Sequence, residues 1–246
     1  MKKIIMTMAA LFAAVSVFAQ SSKDRLSELE KATVEEDTKP AKEEKEYKLF
    51  SFNILTELGF GKQFIEETQF PGALKDNNSS DFYFNMVEFG LNPTKWVSFT
   101  LGANLEWVNY SPSSGYYFHG VPDGDSRKLD LTAVTAAMNN TSSRLHAFSL
   151  VFPLALDLHV GSISLRAGAE ANLRSKSSVQ YSYKDANGDL FTVKDGTPTG
   201  LDRFTLNYFA SLNFGFLGIY AKYFPQSISP TIPMHGFTVG LVLNTR

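Results

Sequence analysis

From Tyr47 onward, apolar and small polar residues alternate along the chain with a period of two. Trp96 to Tyr110 shows this best. Val97, Phe99, Leu101, Ala103, Leu105 and Trp107 share one parity, and Ser98, Thr100, Gly102, Asn104 and Glu106 share the other. That alternation predicts a β-strand whose two faces meet different surroundings. The run is longer than a usual strand of a soluble domain and long enough to cross a bilayer at a tilt. Eight such strands are predicted: Tyr47 to Gly61, Asp81 to Asn92, Trp96 to Tyr110, Arg144 to Leu158, Ser162 to Arg174, Arg203 to Asn213, Phe216 to Phe224 and Gly236 to Asn244.

The connections alternate between long and tight. Gly61 to Ser80, Ser111 to Ser143, Ser175 to Asp202 and Pro225 to His235 are the longer ones. Asn92 to Lys95, His159 to Gly161 and Phe214-Gly215 are tight. An even number of up-and-down strands puts all tight turns at one end, as in outer-membrane barrels with short periplasmic turns and long external loops. The expected fold is therefore all-β, an eight-stranded antiparallel up-and-down transmembrane β-barrel over residues 47–246.

The two faces decide between a membrane barrel and a soluble one. The polar face is built of Ser, Thr, Asn and Gly, as in Ser164, Gly168 and Asn172, or Thr205, Asn207 and Ser211. A soluble outer surface would carry frequent Lys and Glu. The apolar face carries Phe, Leu and Trp, too bulky for the lumen of so small a barrel, so lipid is its expected surrounding. Trp107 and Tyr110 near one strand end, and Trp96 near the other, fit the aromatic rims of an apolar band roughly 25 Å tall.

A few charges fall at inward parity: Glu57, Glu106, Asp157, Glu170, Arg166, Arg174, Arg203 and Lys222. Glu88 joins them in simple register, but Phe82, Phe84 and Met86 then also turn inward unless a bulge intervenes. Opposite charges in a narrow interior should pair, because an unpaired charge there costs several kcal/mol. A plugged lumen with an ion-pair network that holds strand register is expected. The competing reading is a narrow ion path or proton relay.

The residues before Tyr47 differ in kind. Lys2 and Lys3, the apolar stretch Ile4 to Val17, and Val17-Phe18-Ala19 read as a signal peptide over 1–19, with a mature start at Gln20. Residues 20–46 are rich in Lys, Glu and Asp and read as a charged periplasmic tail, with a short helix over Lys23 to Lys31 that could dock a partner. The formal charge of −2 shows no strong field toward nucleic acid. There are no cysteines, which excludes disulfides, thiol chemistry and lipid attachment at an N-terminal Cys.

Candidate chemistry is sparse. Asp185-Ala186-Asn187-Gly188-Asp189 opens like a calcium loop but places Leu190 and Gly196 where Gly and Glu are needed. Asn187-Gly188 between Tyr181, Tyr183, Phe191 and Val193 reads better as a β-hairpin. Asp123, Asp125 and Asp130 could hold a cation, although a solvated loop is the simpler reading. The histidines are His119, His146, His159 and His235. A lipid-modifying enzyme would need one of them beside a nucleophile at the outer rim, and His146 and Ser149 point to opposite sides. No catalytic residue, metal site or cofactor is assigned.

Leu150-Val151-Phe152-Pro153-Leu154-Ala155-Leu156, a strand with a central Pro, leads through a short turn into Leu165-Arg166-Ala167-Gly168-Ala169. On these segments the chain resembles the small eight-stranded outer-membrane barrels, as in the OmpA membrane domain and OmpX. It is more closely similar to the PorT-like, porin-family β-barrel domain proteins of Bacteroidota. The resemblance implies outer-membrane residence with envelope-structural or adhesive roles. The expected function is non-enzymatic display of external loops, with Tyr116, Tyr117, Tyr181 and Tyr183 as binding candidates. Simple packing of those rings within the loops is the alternative. Expected partners are outer-membrane lipid or lipopolysaccharide, the barrel-insertion machinery and a periplasmic partner of the tail, for a chain that acts as a monomer. The rival functions are a lipid-modifying enzyme and an accessory part of a secretion or envelope machine.

Overall fold

The computed structural model describes residues 48–67, 73–74, 78–124, 126–195, 200–227 and 229–245. The expected leader, the charged tail with its short helix, and Asp125 lie outside them. The elements are β1 (Phe50–Ile54), β2 (Glu57–Glu67), β3 (Ser80–Leu91), β4 (Val97–Tyr110), β5 (Tyr116–Asp123), β6 (Ser126–Ala133), β7 (Asn139–Val160), β8 (Ile163–Lys184), β9 (Leu190–Asp195), β10 (Phe204–Phe214), β11 (Leu217–Phe224) and β12 (Met234–Asn244). No helix occurs among the described residues.

Eight staves close into one antiparallel barrel. β1 and β2 together form the first stave, followed in order by β3, β4, β7, β8, β10, β11 and β12. The barrel shuts where β12 pairs β2, from Asn244 opposite Glu57 to Met234 opposite Glu67. The predicted all-β, eight-stranded antiparallel barrel is the observed architecture. The sheet has no free long edge, which removes the aggregation hazard of an open strand.

The first stave is broken where the alternation alone predicted one continuous strand. Leu55 adopts φ 53°, in the left-handed region, and its N–H donates to the Met86 carbonyl at 3.2 Å. Met86 is the extra residue of a bulge in β3: Asn85 pairs Asn104 and Val87 pairs Ala103. The bulge reverses the parity of β3 at its middle. Asp81, Tyr83 and Asn85 face inward on one side of it and Glu88 on the other. Phe82 and Phe84 face outward, which resolves the conflict of simple register.

Pro153 sits inside the central stave β7, opposite Glu170 of β8. It cannot donate to a ladder. Its Cγ lies 3.2 Å from the place a Cβ would take at Gly102 on β4, so the small facing residue makes room for the ring.

The connections at one end are tight, and those at the other carry structure of their own. β7 and β8 continue well past the barrel, with pairing that extends to Asn139 opposite Lys184. β9 adds to β8 as the predicted hairpin, with Lys184 opposite Leu190. Asp185 Oδ1 accepts the N–H groups of Asn187 and Asp189, each at 2.9 Å. That carboxylate closes a turn, which replaces the calcium-loop reading. The loop predicted over Ser111 to Ser143 contains a second hairpin, β5–β6, whose turn uses Gly124 at φ +58°.

Candidate functional site

The interior is filled in layers from the tight-turn end upward. Nearest the turns lies Arg166 on β8. Its Nη1 is 2.9 Å from Glu57 Oε1 and 2.8 Å from Glu88 Oε2, and its Nε is 3.8 Å from Asp157 Oδ1. Thr100 Oγ1 donates to Asp157 Oδ2 at 2.8 Å and accepts from Arg166 Nη2 at 3.2 Å. Above it, the rings of Tyr83 and Tyr220 meet edge to face with centroids 5.2 Å apart, beside the fully buried Val242. Gly59 leaves the space this layer needs: a Cβ there would come within 2.1 Å of Tyr83 Cε1.

The next layer centres on Lys222 of β11. Its Nζ lies 2.5 Å from Glu106 Oε1, 3.5 Å from Asp81 Oδ2 and 3.7 Å from Glu170 Oε1. Tyr220 donates to Asp81 Oδ2 at 3.3 Å, and Asn207 Nδ2 donates to Glu170 Oε1 at 3.2 Å. The Lys222 ammonium also stands 4.3 Å from the Tyr83 ring centroid, which joins the two layers.

Each buried cation is thus surrounded by three carboxylates, and both sets of partners reach across the lumen. Asp81 belongs to the set although the alternation did not place it, because its parity depends on the bulge at Met86. One expected member is corrected. Arg203 is exposed: it lies just beyond the last ladder pair, Phe204 opposite Leu173, where the stave leaves the barrel and a long cation reaches water. Arg174 borders the lumen as expected, half-buried at the same rim, and its guanidinium donates to the Asp202 carbonyl.

The spaces left between layers are small. One cavity of about 20 Å³ lies beside Lys222, Asp81 and Asn172, and another of about 10 Å³ lies beside Arg166 and Tyr220. Such volumes hold about one water each. Among the described residues, side chains fill the lumen at these layers.

The long-loop end is closed by an apolar plug. Phe118, Leu129 and Leu131 of the β5–β6 hairpin pack with Val108, Leu145, Val179, Phe224, Ile232 and Met234, all buried. Phe118 N–H donates to Ser143 Oγ at 2.9 Å, and Thr231 Oγ1 donates to the Leu129 carbonyl at 2.7 Å, so the hairpin is tied to two other segments. Tyr110 is part of this plug, not of the outer aromatic rim, because its parity is that of Glu106.

Of the loop candidates, Tyr116 and Tyr181 pack against the plug. Tyr117 lies 5.0 Å from Tyr181, Tyr181 6.5 Å from Tyr183, and Tyr183 5.5 Å from Phe191, ring centre to ring centre. The rings form a ladder that joins the β5–β6 hairpin to the β8–β9 hairpin. Asp123 pairs with Lys128 at 2.7 Å, and Asp130 lies 3.4 Å from His119 Nε2. Among the described residues no group of three or more His, Cys, Asp or Glu is placed to hold a metal ion. His119 Nε2 also meets Thr132 Oγ1 at 2.8 Å. One ring nitrogen facing both the hydroxyl and the carboxylate is not the relay of a nucleophile, base and acid.

The outer wall is banded. Phe60, Phe82, Trp107 and Phe148 oppose one another in register across four neighbouring staves, and the row ends at Lys176. Their rings touch at centroid distances of 4.8, 5.5 and 5.1 Å. On one side of this girdle runs the apolar row Leu58, Phe84, Leu105, Leu150 and Leu173. On the other runs the polar row Lys62, Ser80, Asn109, His146 and Ser178. Large apolar side chains face outward down the staves to the tight turns, with Leu101 at 52% and Leu154 at 60% exposed and Trp96 beyond them.

No family model and no curated protein matches the chain. Among solved structures, the chain is similar to the attachment invasion locus protein Ail of Yersinia pestis. Identity is 12%, over 79% of this chain and 96% of that one, with a TM-score of 0.34. It is also similar to a mutant Rh. blastica porin at 14% identity, over 79% of this chain and 99% of that one, with a TM-score of 0.20. These similarities do not extend to family or function.

Proposed function

We propose that this chain is a non-enzymatic outer-membrane β-barrel protein that anchors structured external loops for envelope-structural or adhesive contact. One observation carries the reading: a closed barrel whose outer wall is an apolar belt bounded by an aromatic girdle, while the charges at the height of that belt are turned inward and paired. In water that belt would be a large exposed apolar patch; in lipid it is the favoured surface. The tight turns face the periplasm in this reading, and the two hairpins stand outside the cell. The filled lumen supports anchoring over transport, and the Tyr117–Tyr181–Tyr183–Phe191 ladder supports a stiff, presented surface. The PorT-like resemblance and the monomeric state belong to this proposal. So does recognition by the barrel-insertion machinery.

The test is fractionation, followed by gel migration with and without boiling. A membrane barrel goes to the outer-membrane fraction and shifts on heating. A freely soluble monomer would overturn the reading. Adhesion is tested by removing residues 116–133 and 181–193. Surface contact that persists unchanged would leave the barrel as an envelope-structural element alone.

A further inference from the structure

A concavity of about 290 Å³ lies on the outward wall of β4, β7 and β8, lined by Trp107, Asn109, His146, Phe148, Lys176 and Ser178 among others. It sits at the boundary between the aromatic girdle and the polar row above it. The cause is local. β8 carries one extra residue, Ser175, between the pairs Phe148–Lys176 and Ser149–Arg174. A bulge re-aims the side chains on either side of it. Arg174 therefore borders the lumen, while Lys176 is exposed on the outer wall beside Phe148.

The charge there has one sign. Arg144 and Lys194 are exposed and flank Gln180 in a single register row, and Lys176 stands on the same wall below them. Among the described residues no carboxylate lines the concavity. His146 is held in place by a hydrogen bond between its Nδ1 and Asn109 Oδ1. Lys176 shares a register row with the Trp107 and Phe148 rings, and the apolar row of Leu105, Leu150 and Leu173 lies on the side of that row toward the tight turns. Lys176 at girdle height, with Arg144 and Lys194 further out on the same wall and an apolar row on the other side, matches an amphiphile with an anionic head and acyl tails. A free anion would use the cations and leave the rings and the apolar row without a partner.

We infer that this concavity is a binding site for a phosphate-bearing lipid of the surrounding leaflet, with Lys176 on the phosphate from the girdle row, Arg144 reaching it from above the concavity, and the acyl chains packed over Leu105, Leu150 and Leu173. The inference rests on the membrane reading proposed above.

The full chain, purified in detergent, is loaded with bisphosphorylated lipid A or with its dephosphorylated counterpart. Lipid retained through detergent exchange is then counted by native mass spectrometry. The phosphorylated form is expected to be retained, and Lys176→Glu with Arg144→Glu to lower that retention about tenfold. Lys95→Glu, in the turn between β3 and β4, should leave it unchanged. Equal retention of both lipids, or full retention by the double variant, overturns the site. Full displacement by inorganic phosphate marks a plain anion site and overturns it too. The heat shift on gels verifies that each variant is folded; where charge reversal abolishes it, Lys176→Gln with Arg144→Gln is read in its place with the same expected loss. A chain soluble without detergent fails the membrane reading, whereas a detergent-dependent barrel that ignores the phosphate fails this inference alone.

Discussion

Arg166 on β8 and Glu88 on β3 meet across the lumen, with Nη1 2.8 Å from Oε2. The two walls they join are not neighbours in the sheet. Contact between them requires the barrel to be closed and both staves to be in register. A slip of one residue would turn either group toward the outer wall. The pair therefore acts as a register lock as well as filling.

Loss of that lock should be costly. Arg166→Met leaves Glu57, Glu88 and Asp157 without their shared cation and is expected to destabilise the barrel by about 3–5 kcal/mol. Urea unfolding in detergent micelles reads this. A change below about 1 kcal/mol, the range of an exposed pair, would show that the cluster is hydrated and contributes little.

The tyrosine layer predicts a rescue. Gly59→Ala places a methyl group against the Tyr83 ring, where 2.1 Å is available. Overpacking of this kind is expected to cost about 1–3 kcal/mol. Gly59→Ala combined with Tyr83→Leu should recover part of that loss, because the smaller side chain yields the space. Additive losses in the double variant would place the clash elsewhere.

The outer wall predicts a depth-dependent penalty. Leu154→Arg puts a cation in the middle of the apolar belt and is expected to cost about 2–4 kcal/mol, falling toward about 0–1 kcal/mol for the same change near the rim. Folding yield into lipid vesicles measures it. A barrel surrounded by water would tolerate Leu154→Arg or gain solubility.

The layered lumen predicts electrical silence. Deleting residues 116–133 removes the β5–β6 hairpin from the apolar plug but leaves the Lys222, tyrosine and Arg166 layers in place. Planar-bilayer recordings are expected to stay at background conductance. A new ion current would place the permeability barrier in the hairpin and revive the ion-path reading.

Much of the barrel was legible along the chain. The alternation in Val97 to Trp107 and in Phe152 to Leu158 marks staves with an apolar and a polar side, and strict period two is local information that needs no partner. Glu57, Glu106, Asp157, Arg166, Glu170 and Lys222 fall inward by the same parity. The Asn187-Gly188 turn is local chemistry as well. So is Asp123-Gly124, the signal in the sequence that marks the β5–β6 hairpin within what the alternation treated as one long loop.

The chain by itself determined the class of fold, the orientation of the two faces and most of the interior charges, because each follows from side-chain parity within one stave. Tertiary structure alone decided the bulges at Met86 and Ser175, the entry of Asp81 and Tyr83 into the interior, and the grouping of charges around two cations. It also moved Tyr110 and Tyr116 into the apolar plug. The physical reason is that a bulge is set by the register of two strands at once, and a cross-lumen contact exists only after the last stave meets the first.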